Sequence, residues 1–340
     1  MSLVSQLSTG RLGAWCAEHL TGVDRLARQI PHLVRNADPV RPPRQPVDYY
    51  AHVGGMWGQR LAMFVEHAPP YAALLGGLRA GLLTRSDAAA IAMAHPTHTT
   101  CPEPERAYAY QPTPAGLVDV SDGHHVRSTG PGDRSVAEQL SKLATAGRKA
   151  TPGQVSDGDI EYRLLDGIAT VTSLESMYRS GELPEHTLDG DVLADDWRRL
   201  AERARTPHMR KSLDRLAPGA SARLGHAAPT IVPQWAEGDV LLGPAADGGY
   251  TLLDVKTVTR ADDISKLRKW LWQILGYAWL DTTDRWRIRR VGLWFTRHGM
   301  ILTWPVDQLA NAGTADRNAF LRVARRAIAE DGGEPTTLAM

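Results

Sequence analysis

The chain has 340 residues, a formal net charge of +1, 43% apolar and 23% charged residues. It is long enough for one large domain or two modest ones with a buried core, and it is not a polycation that would hold nucleic acid through its overall charge. Its two cysteines, Cys16 and Cys101, give neither a disulfide framework nor a C-x-x-C zinc pair. The start lacks a basic segment followed by an apolar run, and no stretch reaches the roughly 18–20 apolar residues of a membrane span. The expectation is a soluble cytoplasmic protein with no membrane partner.

In chain order, residues 1–35 read as helix, with Leu12, Trp15, Leu20 and Leu26 set among charges. Residues 37–48 are proline-rich and basic and read as a loop. A helix is predicted over Met56–His67, stopped by Pro69-Pro70, with more helix over Tyr71–Leu83 and Arg85–Ala94. Residues 95–135 lack a period and read as a long irregular segment, a kind that is usually functional or disordered. Helical patterns return over Ser135–Gly147, Ile160–Arg179 and Asp191–Leu216. The character changes at Pro229. Short strands are predicted at Thr230–Trp235 and Asp239–Leu242, then a longer strand at Tyr250–Val258 and a strong helix over Ile264–Leu280. Arg290–Thr296 and Met300–Trp304 read as a hairpin around Arg297-His298-Gly299, and a last helix covers Thr314–Ala329. This order predicts an α/β fold with a mixed central sheet of about five strands, flanked by helices. The expected division is N-terminal helices over 1–67, a mostly helical insertion with irregular loops over 68–225, a sheet core over 226–330 and a tail over 331–340, as one elaborated domain and not two independent ones.

The chemistry concentrates in the first hairpin of that core. If Gly243 pairs with Tyr250, antiparallel register sets Asp239 opposite Asp254, with Lys256 on the same face as Asp254 and Val255 turned away. Carboxylates that face each other across a ladder, ~5 Å apart at Cβ, repel unless something compensates. A divalent cation such as magnesium is the simplest compensation, since it takes carboxylate oxygens and keeps water positions open for a phosphate. A lysine beside the metal can orient or activate a water. Asp-x-Lys alone is a weak signal. Leu252-Leu253 before it and Val258 after it suggest an interior strand, where charges are costly without a purpose. On the following helix, Gln273 and Tyr277 stand at i and i+4, with Lys266 and Trp270 continuing the stripe.

Gly238-Asp239, Asp254-Val255-Lys256 and Gln273-x-x-x-Tyr277 together resemble the PD-(D/E)XK nuclease superfamily, and the trailing pair is similar to its RecB-like branch, which includes CRISPR-associated exonucleases. The resemblance covers about residues 226–305. It implies a restriction-endonuclease-like core, magnesium or manganese as cofactor, and hydrolysis of phosphodiester bonds in DNA. It implies Asp239, Asp254 and the Val255 carbonyl as metal ligands, Lys256 as the residue that positions water, and Gln273 and Tyr277 as supports or nucleic-acid contacts. The expected setting is DNA repair, mobile-element control or antiphage defence, with a separate helicase, ATPase or defence protein as a possible partner, because no P-loop is present. The alternatives are a non-catalytic nucleic-acid-binding scaffold and an RNase. The branch places a further ligand on an upstream helix. Gly58 or Gln59 occupies the expected position, and Glu66, His52 and His67 are the substitutes. Two cysteines cannot hold the iron–sulfur centre of some relatives.

Other features carry less. His95-x-x-His98-x-x-Cys101 has metal-like residue types but no fourth ligand, and His124-His125 is weaker. Arg198 to Arg223 is a basic stretch containing Arg210 and Lys211, either a phosphate-gripping arm or a solvated face. Arg285, Arg287, Arg289 and Arg290 form a second cluster. Lys266 and Trp270 are candidate nucleic-acid contacts. Trp235, Trp270, Trp272 and Trp294 either stack on bases or, more in keeping with such residues, sit in or beside the core.

Overall fold

Three short helices begin the chain: α1 (Leu3–Thr9), α2 (Arg11–His19) and α3 (Val23–Val34). The computed structural model describes residues 2–97, 109–120, 122–147, 158–184, 190–219, 223–311 and 316–331. The chain divides into two compact units, one made of Met1–Val40, Thr206–Gly219 and Ala228–Met340, the other of Arg41–Arg205 and Ala220–Ala227.

The second unit is helical. It holds α4 (Val47–Val65), α5 (Tyr71–Arg79), α6 (Arg85–Ala94), the hairpin β1 (Tyr110–Thr113) and β2 (Gly116–Asp119), α7 (Arg134–Gly147), α8 (Gly158–Ser180), α9 (Gly190–Ala204) and the short strand β3 (Gly225–Ala227). Helix α8 is its hub, packing on α4, α5, α7 and α9. At Gly76 a Cβ would overlap the Leu174 carbonyl, so glycine allows α5 to approach α8 closely. A buried ion pair joins α4 to α8, with Arg60 Nε 2.8 Å from Glu161 Oε2 and Nη2 2.5 Å from Oε1. Trp57 meets Trp197 edge-on at 4.9 Å. Two readings change here. Helix α4 starts at Val47, directly after Pro46, and not at Met56, since a proline is well placed just outside a helix start. Residues 41–67 therefore group with the helical segment that follows them, whereas the expected boundary fell at 67/68.

The first unit continues with α10 (Pro207–Leu216), β4 (Thr230–Val232), β5 (Ala236–Glu237), β6 (Val240–Leu242), β7 (Tyr250–Lys256), α11 (Ile264–Leu280), β8 (Ile288–Phe295), β9 (Met300–Pro305), α12 (Val306–Ala310) and α13 (Arg317–Glu330). The helix expected over Asp191–Leu216 is two helices, because Thr206 caps a new start with Pro207 in its first turn. Strands β6, β7, β8 and β9 lie side by side in that order: β6–β7 antiparallel, β7–β8 parallel, β8–β9 antiparallel. The sheet is thus mixed, and α11 makes the crossover that a parallel pair requires. Strand β7 is buried from Tyr250 to Asp254, as suits an interior strand.

The N-terminal helices complete the core of this unit. Helix α3 packs on α11 and α2 on α13, and Leu3, Leu7, Leu12, Val23 and Ile30 share one apolar cluster with Leu267, Leu271, Ile274 and Phe320. Each such fully buried side chain stabilises by roughly 1.5–3 kcal/mol. Arg268 ties α11 to α3 through Asp24 at 2.6 Å. Cys16 is fully buried there, and desolvation pushes its thiol up to about 12, which makes it an inert packing residue. Among the described residues no helix is long and apolar enough to cross a membrane.

Candidate active site

Strands β6 and β7 meet through a glycine-rich turn. Gly243 adopts φ +137 and Gly248 φ +74, a backbone region that L side chains rarely enter. The ladder pairs Val240 with Leu253, Leu241 with Leu252 and Leu242 with Thr251. Carried one residue on, this register sets Asp239 across from Asp254, as the sequence predicts. Asp239 Oδ2 accepts a hydrogen bond from the Val255 backbone N–H at 2.6 Å. This contact fixes the Asp239 carboxylate against the strand that carries the second acid.

Helix α11 brings the remaining groups. Asp263 caps its start, its Oδ1 accepting from Ser265 N and Lys266 N. The buried face of α11 includes both Gln273 and Tyr277. Gln273 Nε2 donates to Asp254 Oδ1 at 2.9 Å and lies 3.0 Å from the Tyr277 hydroxyl. Gln273 Oε1 accepts from Lys256 Nζ at 3.5 Å. Lys256 Nζ stands 2.5 Å from Asp254 Oδ2 and 5.0 Å from the centre of the Trp270 ring. Asp239, Asp254, Lys256, Gln273 and Tyr277 are thus brought together, with Trp270 at the edge. The role of Trp270 as a cap on the lysine is the element the sequence reading misses. The signal was present, since Trp270, Gln273 and Tyr277 follow helical spacing.

The site is electrostatically tense. Asp254 is 3% exposed, and burial holds its carboxyl above the usual carboxylate range while the Lys256 ammonium pulls the other way. Asp254 Oδ2 makes a charge contact with Lys256 but accepts no well-aligned hydrogen bond among the described residues. A buried carboxylate that already faces an ammonium marks a place built to hold positive charge. No cluster of three or more His, Cys, Asp or Glu side chains forms among the described residues. The site offers a pair of carboxylates, and hard cations of the magnesium type commonly take one or two carboxylates and complete their shell with carbonyl oxygen and water.

Glu66 is fully buried within the helical unit, where its carboxylate meets Arg223 Nη1 at 3.2 Å and accepts from Ala227 N at 3.0 Å. Gln59 Nε2 donates to Glu175. Arg210 and Lys211 are exposed on α10, a helix that packs on β9. Part of the basic stretch around them is internally neutralised: Arg198 is paired with Asp195 and Glu202, and Arg223 with Glu66. In the second cluster Arg289 pairs with Asp284 and Arg290 with Asp247, while Arg285 and Arg287 lie over Trp286 and Tyr250. Trp235, Trp272 and Trp294 are buried core residues, whereas Trp270 is half-buried. His98 and Cys101 lie outside the described residues, as does the tail beyond residue 331. No family model, curated protein or solved structure matches the chain.

Proposed function

We propose that the chain is a metal-dependent deoxyribonuclease with a PD-(D/E)XK core, hydrolysing phosphodiester bonds. One observation carries the reading: two carboxylates in register across a hairpin, a lysine two residues beyond one of them, and a glutamine–tyrosine pair from the crossing helix converge in one partly buried place. Asp239 and Asp254, with the Val255 carbonyl, would hold magnesium or manganese. When bound, the ion supplies Lewis-acid activation of water and stabilises charge developing on the phosphate. Lys256 orients the attacking water and offers its positive charge to the phosphate oxygens. Gln273 keeps Asp254 and Lys256 in place from the helix side, and Tyr277 fixes the Gln273 amide. Water adds to phosphorus, a P–O bond breaks, one product keeps the phosphate and the other a hydroxyl. Polar groups held this way, away from bulk water, stabilise charge more than the same groups in solution.

The setting that fits such an enzyme is DNA repair, mobile-element control or antiphage defence, with any ATP-driven step left to a partner protein. The reading is tested by digesting linear, circular and single-stranded DNA, and an RNA of matching sequence, with and without magnesium or manganese. Metal-dependent cleavage of DNA by the wild type, lost by at least about 100-fold in Lys256→Ala, is the expected result. Cleavage confined to RNA would make it an RNase. Binding without cleavage under either metal would favour a non-catalytic scaffold. That second reading draws on Glu66, whose carboxylate is already engaged by Arg223 and Ala227.

A further inference from the structure

Beside the candidate site, a cleft of about 380 Å³ opens between the loop after β7 and the first turns of α11. Its walls include Val258, Ala261, Leu267 and Trp270, with Lys266 at the rim. Trp270 belongs to both places, since its ring lies over Lys256 Nζ and also lines the cleft. Phe295 supports the ring from the sheet at 6.2 Å, so the indole is held on a rigid strand and helix.

The charges around the cleft are not equivalent. Arg260 and Asp262 neutralise each other at 2.6 Å. Asp263 Oδ1 is occupied by two backbone N–H groups of α11, and its charge keeps a phosphate from the helix start. Lys266 is exposed and makes no ion pair among the described residues. A cleft of mixed polar and apolar lining with one aromatic wall, and an ammonium that makes no ion pair among the described residues, therefore lie next to a site suited to phosphodiester chemistry. A nucleotide has matching parts: a planar base that stacks on an aromatic ring and a phosphate that seeks a cation.

We propose that this cleft is a subsite for one unpaired nucleotide, with its base stacked on Trp270 and its phosphate on Lys266. A base within a duplex has both faces stacked and its edge paired, and it cannot present a face to an indole without leaving the helix. The subsite therefore favours single-stranded or frayed substrate at the position next to the cleaved bond. This deepens the nuclease reading and rests on it for the identity of the ligand.

The test is equilibrium binding of a short oligothymidylate in chelator, where metal-dependent cleavage is off, compared with a blunt duplex of the same length. Trp270→Ala is expected to weaken binding of the single strand by roughly 5- to 150-fold, the range of one base–aromatic stack, and to change duplex binding little. Trp270→Phe should recover most of the loss, whereas Trp270→Leu, which refills the space without an aromatic face, should not. Lys266→Gln, at an exposed position that does not threaten folding, should lower the salt dependence of binding by about one phosphate contact. An oligothymidylate carrying an abasic residue should bind the wild type more weakly and Trp270→Ala no more weakly than the intact strand. Unchanged single-strand affinity in both Trp270→Ala and Lys266→Gln would overturn the subsite even if the wild type cleaves DNA. Loss in those variants without cleavage under any metal would keep the subsite and overturn the nuclease.

Discussion

Gln273 uses both ends of its amide, donating to Asp254, contacting Tyr277, and accepting from Lys256. Its orientation is thereby set, and Gln273→Glu is not a conservative change. It would place an acceptor where Asp254 Oδ1 needs a donor, in a buried setting. The expected outcome is destabilisation by about 1–3 kcal/mol in urea unfolding together with loss of metal-dependent cleavage. Tyr277→Phe removes the neutral contact to the Gln273 amide and should cost about 1 kcal/mol while leaving measurable activity. The Asp239, Asp254 and Lys256 set was legible because period-two alternation and a glycine-rich turn fix strand register. Glu66 was not, since its partners Arg223 and Ala227 are far from it in sequence and only the fold reveals them. His67 is another buried group whose behaviour depends on tertiary surroundings. Burial, and then the nearby Arg60 charge, lower its pKa to about 4. It stays neutral in the fold but protonates more readily when unfolded, so its contribution is complete above pH 6.5 and is lost as pH falls towards 4. On the order of 2–3 kcal/mol should disappear across that window, and His67→Gln should flatten the pH dependence of the urea midpoint.

Among the elements, the apolar stripe through Leu267, Leu271 and Ile274 places α11 at its observed boundaries, and the structure adds Asp263 as the cap of its start. Asp263→Ala should cost about 1 kcal/mol in thermal unfolding, and cleavage should persist because Asp263 lies outside the Asp239–Asp254–Lys256 group. Helices α9 and α10 were run together, although Thr206-Pro207 is a start signal of a recognised kind. The charged pattern on both sides obscured it. The β1–β2 hairpin was missed because its strands are four residues each and half exposed along much of their length, which gives little alternation to detect. Close helix contact is equally silent in a sequence. Gly76→Ala would force α5 away from the Leu174 backbone on α8. A loss of about 3 kcal/mol or more in chemical denaturation is expected, beyond the usual cost of overpacking, because backbone and not a flexible side chain must move.

For the whole molecule, a net charge of +1 means that any nucleic-acid surface has to come from local clusters, and two arginine-rich stretches are the candidates. The structure pairs Arg198 and Arg223 of the first with acids, and in the second pairs Arg289 and Arg290 with acids and stacks Arg285 and Arg287 on rings. A one-dimensional reading counts charges but does not see which acids curl back to meet them. It also assigned α1–α3 to an N-terminal group with α4, whereas they belong to the sheet-bearing unit. Nothing local in Leu3, Leu7 or Leu12 names the distant surface they cover.

The Leu3 N–H bonds to the Trp235 carbonyl at 2.8 Å, and Gln6 reaches Asp331. On the ribosome, at the usual 5–20 residues per second, the apolar faces of α1–α3 emerge long before β6, β7 and α11 exist to receive them. The intervening helical unit can condense in that interval, leaving the leading segment exposed and in need of protection from aggregation. Such long-range closure is a slow step in folding. The apolar cluster that backs α11 closes only when segments synthesised far apart in time meet.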